Sequence, residues 1–228
     1  MTAAGPARSS FPGATPASIP TPVNPHPSDP IPGLRRLLVA GTAGGVGTTT
    51  VAALLFAELR DTGDAPFLID HTGGDLGPRL PGGDEVTAVD HRFRLHDLGR
   101  NVGVAAAELA DPGTSLIMVT AATPLGRTLA AEQLRLLDHR GNDHGDQRPD
   151  QGGDQNRAAQ VVVVQVECFG RRQRRPVPDA GARVRDQLLL PVDDVLAAGG
   201  RIPYNRLARQ TRQAIRRLAA AVRADLGR

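Results

Sequence analysis

Residues 37–56, LLVAGTAGGVGTTTVAALLF, constrain the fold more than any other stretch of the chain. An apolar run with the character of a strand (residues 37–40) enters a turn holding four glycines, Gly41, Gly44, Gly45 and Gly47. The chain leaves that turn through Thr48, Thr49 and Thr50 into a helix of small apolar residues, expected over residues 49–60. Glycine allows positive φ and close approach of backbone to a ligand. The first amides of the helix have no intrahelical partner and carry the positive end of the macrodipole behind them. Strand, glycine turn and helix in this order make a cradle for phosphate. Where a turn of the Gly-Lys-Ser/Thr type places its phosphate-binding lysine, this one has Thr48.

A length of 228 residues allows one sizeable core. Residues 1–33 stand apart, because they hold nine of the nineteen prolines and no apolar periodicity, and they read as a disordered tail. That tail has Arg8 as its one arginine and no continuous apolar region, so it does not read as a secretory signal. No stretch approaches the roughly 20 apolar residues of a membrane span, and a single cysteine, Cys168, excludes an internal disulfide. The expected location is the cytoplasm. All 27 basic residues are arginine, and the net charge of +3 by itself implies neither nucleic acid nor membrane.

From Leu34 onward, strand-like and helix-like segments alternate, which predicts a single α/β domain over residues 34–228 with a mainly parallel central sheet and helices on both faces. Strands are expected at residues 65–70, 91–97, 115–120, 161–164 and 188–190. Helices are expected at 102–110, 125–137, near 180–187 and at 204–226. The apolar run Val161 to Val164 reads as a strand covered on both faces. Residues 71–83 show no regular pattern, and the polar residues 139–157 read as a mobile surface insertion. Two of the strands close in an acid, Asp70 and Asp97.

The turn admits two readings. Gly41, Gly45 and Gly47 match the G-x-x-x-G-x-G turn of short-chain dehydrogenases, with Asp70 placed to hold a ribose hydroxyl as in a dinucleotide-binding, Rossmann-like protein. Hydride transfer of that type needs a Tyr-x-x-x-Lys pair, and the chain has one tyrosine and no lysine. Alternatively, Gly44-Gly45-Val46-Gly47-Thr48-Thr49-Thr50 resembles the deviant Walker A loop, K-G-G-V-G-K-T-T, of the MinD/ParA/CpaE-like P-loop ATPases. The likeness extends to L-I-D-H-T-G-G-D-L-G ending at Gly77, to L-H-D-L-G ending at Gly99, which looks like a Walker B strand, and to the stretch from Leu190 to Gly200.

This resemblance implies a three-layer P-loop fold that binds ATP and Mg²⁺. Gly44, Gly45, Val46, Gly47, Thr48, Thr49 and Thr50 would wrap the phosphates, Thr49 and Asp97 would hold Mg²⁺ (Asp97 through water), and Asp70 and Asp97 would be the catalytic acids. Three positions depart from the pattern: the loop lysine is Thr48, the lysine that reaches across a dimer is Ala43, and the second acid after strand two is Thr72. The chain thus resembles a degenerate member, a pseudo-ATPase positioning or regulatory factor that works through a protein partner or homodimer. A scaffold that binds no nucleotide is the non-enzymatic alternative.

Two basic features are candidates for nucleic acid: the cluster Arg171, Arg172, Arg174 and Arg175, and a stripe of Arg209, Arg212, Arg216 and Arg223 on one face of the last helix. The histidines are not spaced as a metal site.

Overall fold

Leu37, Leu38, Val39 and Ala40 are each no more than 1% exposed. Burial of every residue in a row requires cover on both faces of a strand, and this strand lies in the middle of a sheet. The structure, a computed structural model, describes residues 33–81, 90–109, 111, 113–143, 160–168, 176–178 and 183–226. Contacts divide the chain into residues 1–31 and residues 32–228. The expected tail, apart from Gly33, lies outside the described residues, as do residues 144–157 of the expected insertion.

Six strands form one sheet in the order β2-β3-β1-β4-β5-β6. They are β1 (Arg35–Gly41), β2 (Pro66–Asp70), β3 (Asp90–Asp97), β4 (Thr114–Ala121), β5 (Val161–Val166) and β6 (Val184–Leu190). Every pairing is parallel, as the alternation of strand and helix predicts. Successive side chains point to opposite faces. Leu37 and Val39 therefore join one apolar cluster, with α1 (Thr48–Asp61) and α5 (Arg209–Leu226). Leu38 and Ala40 join the other, with α2 (Val102–Glu108) and α3 (Pro124–Asp143). These are the three layers. The strands to either side of β1 are β3 and β4. The chain leaves β1 for one face and β4 for the other, so the switch point lies at the carboxyl end of β1, where open α/β sheets bind ligands.

Three expectations are corrected. Residues 184–187 are strand, not helix: β6 starts at Val184 and pairs with β5 along its length. Being an edge strand, β6 tolerates Arg185, Asp186 and Gln187, whose polarity disguises it in the sequence. The helix α3 runs on to Asp143, past the expected stop at residue 137 and into residues 139–143 that read as insertion. The last helix does not start at Tyr204. A 3-10 turn, Tyr204–Arg206, comes first, and α5 begins at Arg209.

The break before α5 has an electrostatic cause. Asp193, after β6, accepts from the Val195 amide at 3.0 Å and caps the short helix α4 (Asp194–Ala197). Its other oxygen accepts from the Ala208 amide at 2.9 Å, at the entry to α5. Asp193 is buried. Asp193→Ala leaves two amides without their acceptor and should cost about 2–4 kcal/mol, measured as a lowered midpoint in urea denaturation with unchanged slope.

Candidate functional site

The carboxyl ends of β1, β3 and β4 are tied together by backbone. The Gly41 amide donates to Gly99 O at 2.6 Å, the Thr42 amide to Val119 O at 2.9 Å, and the Leu98 amide to Val39 O at 2.9 Å. The Thr42 hydroxyl reaches Thr120 Oγ1 at 3.0 Å. Held in this frame, the turn exposes Gly44 and Gly45 and buries Val46 in the core, so Val46 offers only its backbone to a ligand. Gly47 caps α1 with φ 90°, a conformation that disfavours any side chain. No side-chain cap serves this end of α1, and its first turn contains no acid. Its leading amides thus have no acceptor from a capping group.

Thr48, at the lysine position, is buried and turns back against β1: a Cβ on Gly41 would lie only 2.2 Å from Thr48 Oγ1. Its side chain does not reach the mouth of the turn. Ala43 is half-buried and packs against the core.

Asp97 and Asp70 end neighbouring strands in register but differ in state. Asp97 is fully buried. One oxygen accepts from the Gly99 amide at 3.0 Å, and Oδ2 has no partner in the described structure. Burial pushes its carboxyl above the usual range, with the Asp70 charge adding to the rise, while the Gly99 amide and Thr49 hydroxyl pull the other way. Asp70 is exposed, and both its oxygens are engaged. Oδ1 accepts from the Thr72 amide at 2.7 Å and the Thr72 hydroxyl at 2.6 Å, and Oδ2 accepts from the Leu76 amide at 3.1 Å. Burial alone would raise Asp70, but these donors together hold it below the usual carboxylate range.

The residues beside the two acids, His71 and His96, form a stacked imidazole pair. The rings of His71 and His96 are 5.3 Å apart and 13° from parallel, with His71 Nε2 3.1 Å from His96 Nδ1. Burial, helped by the charges of His71, Arg36 and Arg94, pushes His96 down to about 4.

The structure therefore brings together the turn, the first turn of α1 and Asp97, and turns Asp70 onto its own loop. A residue that the sequence does not mark joins them. Arg79, in the 3-10 turn Gly77–Arg79, donates from Nη2 to Thr50 Oγ1 at 2.5 Å. Twenty-nine residues separate the two, and only an arginine soon after the acid-ended strand could have hinted at it.

Of the arginine stripe, Arg209 and Arg216 are exposed and Arg212 and Arg223 half-buried. Two members turn to α1 and the segment after it: Arg223 Nε donates to Asp64 Oδ2 at 2.6 Å, and Arg216 lies 3.8 Å from Glu58. The cluster Arg171, Arg172, Arg174 and Arg175 lies outside the described residues.

The order β2-β3-β1-β4-β5-β6 sets β3 rather than β2 beside β1, unlike the 3-2-1-4-5-6 order of the dinucleotide-binding Rossmann fold, and makes this all-parallel, three-layer sheet a P-loop NTPase-like α/β fold. No protein-family model matches the chain, and no curated protein matches it. Among solved structures, the chain is similar to a ParA family ATPase from Chlorobium tepidum TLS, with a TM-score of 0.51 and 15% identity over 82% of this chain and 98% of that one. It is also similar to a candidate plasmid partition protein from Borrelia burgdorferi B31 bound to AMPPNP (TM-score 0.46, 12% identity, 84% of this chain and 98% of that one). A third is a nucleotide-binding protein from Archaeoglobus fulgidus in complex with ADP (TM-score 0.38, 14% identity, 84% and 87%). At 15% identity the first of these likenesses shows a shared fold alone. Among the described residues, no helix is long and apolar enough to cross a membrane.

Two outcomes follow from the buried groups. His96 is depressed in the folded protein, so the unfolded state binds more protons between about 6.5 and about 4. Stability present above that window is lost as pH falls through it, and a His96→Asn variant should show a weaker loss in urea titrations at stepped pH. Asp97 is raised, so its ionisation opposes folding at neutral pH. Asp97→Asn, which keeps an acceptor for Gly99, should raise the melting temperature at pH 7.

Proposed function

We propose that this protein binds ATP with Mg²⁺ at the turn from Gly44 to Thr50, hydrolyses it weakly or not at all, and serves as a cytoplasmic positioning or regulatory factor through protein contacts. The observation that carries this reading is the juxtaposition of an uncapped helix end with Asp97, whose buried Oδ2 lacks a partner. An anion satisfies the first and a hydrated cation the second. The donor set fits Mg²⁺: a carboxylate oxygen and the Thr49 hydroxyl are hard oxygen ligands. Among the described residues no cluster of three His, Cys, Asp or Glu side chains could hold a metal by itself, which suits an ion that keeps its waters and shares phosphate oxygens. When bound, Mg²⁺ supplies charge neutralisation along the phosphates.

Weak hydrolysis is supported by three features. No lysine reaches the turn. Thr72 replaces an acid and spends its hydroxyl on Asp70. Asp70, with both oxygens accepting hydrogen bonds from its own loop, is poorly placed to take a proton from water or to hold a ribose hydroxyl. Loss of charge stabilisation and of water positioning each typically costs on the order of 100-fold in rate. Ala43 supports partner contacts other than a homodimer closed by a trans lysine.

Calorimetric titration of the full chain with Mg·ATP, beside a turnover assay, tests this reading. Binding is expected, with Thr48→Lys tightening it by about ten- to a hundredfold. Absence of binding in both proteins would favour the scaffold, and turnover of about one per second or faster would overturn the pseudo-ATPase assignment.

A further inference from the structure

The lysine missing from the turn leaves a question of charge, and the geometry points to Arg79 as the cation that takes its place, a phosphate-binding residue delivered from a different part of the chain. The inference rests on the reading of the turn as a nucleotide site.

Arg79 is half-buried, and its guanidinium lies on Thr50, the third residue of α1. Among the described residues its one hydrogen-bonded side-chain partner is that hydroxyl, and no carboxylate pairs with it. A positive group at the positive end of a helix is disfavoured by roughly 0.3–1 kcal/mol, and the sign reverses when an anion lies between them. As a tie between loop and helix, a neutral amide donor would serve Thr50 as well. At the leading end of α1 the charge is favoured only with an anion present. The fully buried Asp97, drawn on by the Thr49 hydroxyl from the same turn of α1 and with Oδ2 unpartnered, is an independent sign that a ligand completes this site.

The position of Arg79 is built rather than incidental. Asp70 folds residues 71–76 onto itself by accepting from Thr72 and Leu76. The Arg79 amide then donates to Leu76 O at 3.0 Å, closing the 3-10 turn that carries the side chain. From the other side the Ile202 amide donates to Arg79 O at 3.3 Å. Gly199 leaves room for the guanidinium, since even an added Cβ would lie 3.9 Å from Nη1. Asp70 thus acts as a positioning residue for Arg79. An arginine can offer two parallel donors to phosphate oxygens, which a lysine cannot.

The test is a calorimetric titration of the full chain with Mg·ATP, and separately with Mg·triphosphate to isolate the phosphate contact, across Arg79→Gln, Arg79→Ala, Thr48→Lys and the double variant Arg79→Gln with Thr48→Lys. Arg79→Gln keeps a donor for Thr50 without the charge. It should bind both ligands about ten- to a hundredfold more weakly while its melting temperature without ligand stays that of the unsubstituted protein. Thr48→Lys should restore most of the loss in the double variant. If the unsubstituted protein binds and Arg79→Gln and Arg79→Ala bind equally well, the assignment of Arg79 is overturned and the nucleotide site stands. If neither the unsubstituted protein nor Thr48→Lys binds, the nucleotide reading falls and takes this inference with it.

Discussion

The free end of α1 is the constraint on which the rest of the site depends. A helix that starts with Gly47 in the left-handed region, with neither side-chain cap nor acid in its first turn, leaves donors that only water or a ligand satisfies. The neighbouring residues leave that end uncapped. The backbone ties among β1, β3 and β4 hold the turn open, Val46 anchors it in the core, and the absence of a side chain on Gly41 lets Thr48 fold underneath. The sheet makes the arrangement affordable, because its two apolar clusters carry the stability while the carboxyl ends of the strands are left for polar groups.

How far the sequence reveals this depends on where each residue lies in the sheet. Central strands announce themselves: Leu37 to Ala40 and Val161 to Val164 are covered on both faces, so burial demands unbroken apolar runs. The edge strand β6 has one partner and a freer face, and Val184, Arg185, Asp186 and Gln187 carry no such mark. The turn and the two strand-end acids were legible because their chemistry is local. The divergence of Asp70 and Asp97 was not, since it rests on which amides the folded chain brings to each. Arg79 was invisible for the same reason. Its partner Thr50 is on another element, and no local periodicity encodes a contact between a loop and a helix end.

The lack of lysine changes meaning once the site is assembled. In composition it reads as substitution by arginine throughout. In the structure the residue at the lysine position is a buried threonine with no cationic reach, so the charge had to come from elsewhere or be lost. The basic face of α5 shows the complementary lesson. Arg223 looks like surface charge in the helical pattern, yet it is half-buried and bonded to Asp64, while Arg216 stays exposed beside Glu58.

Those last contacts also order events in time. Tyr204 donates to Glu58 across 146 residues, and Arg223 bonds Thr62 across 161. Contacts so distant in sequence need both ends of the domain, and closing them costs loop entropy. The face of the sheet that carries α1 therefore cannot be roofed before α5 has been synthesised. Until α5 has been synthesised and docked, a growing chain keeps Ile215, Leu218 and Val222 from the cluster they complete, and α1, which carries the cradle at its leading end, lacks part of its packing until then.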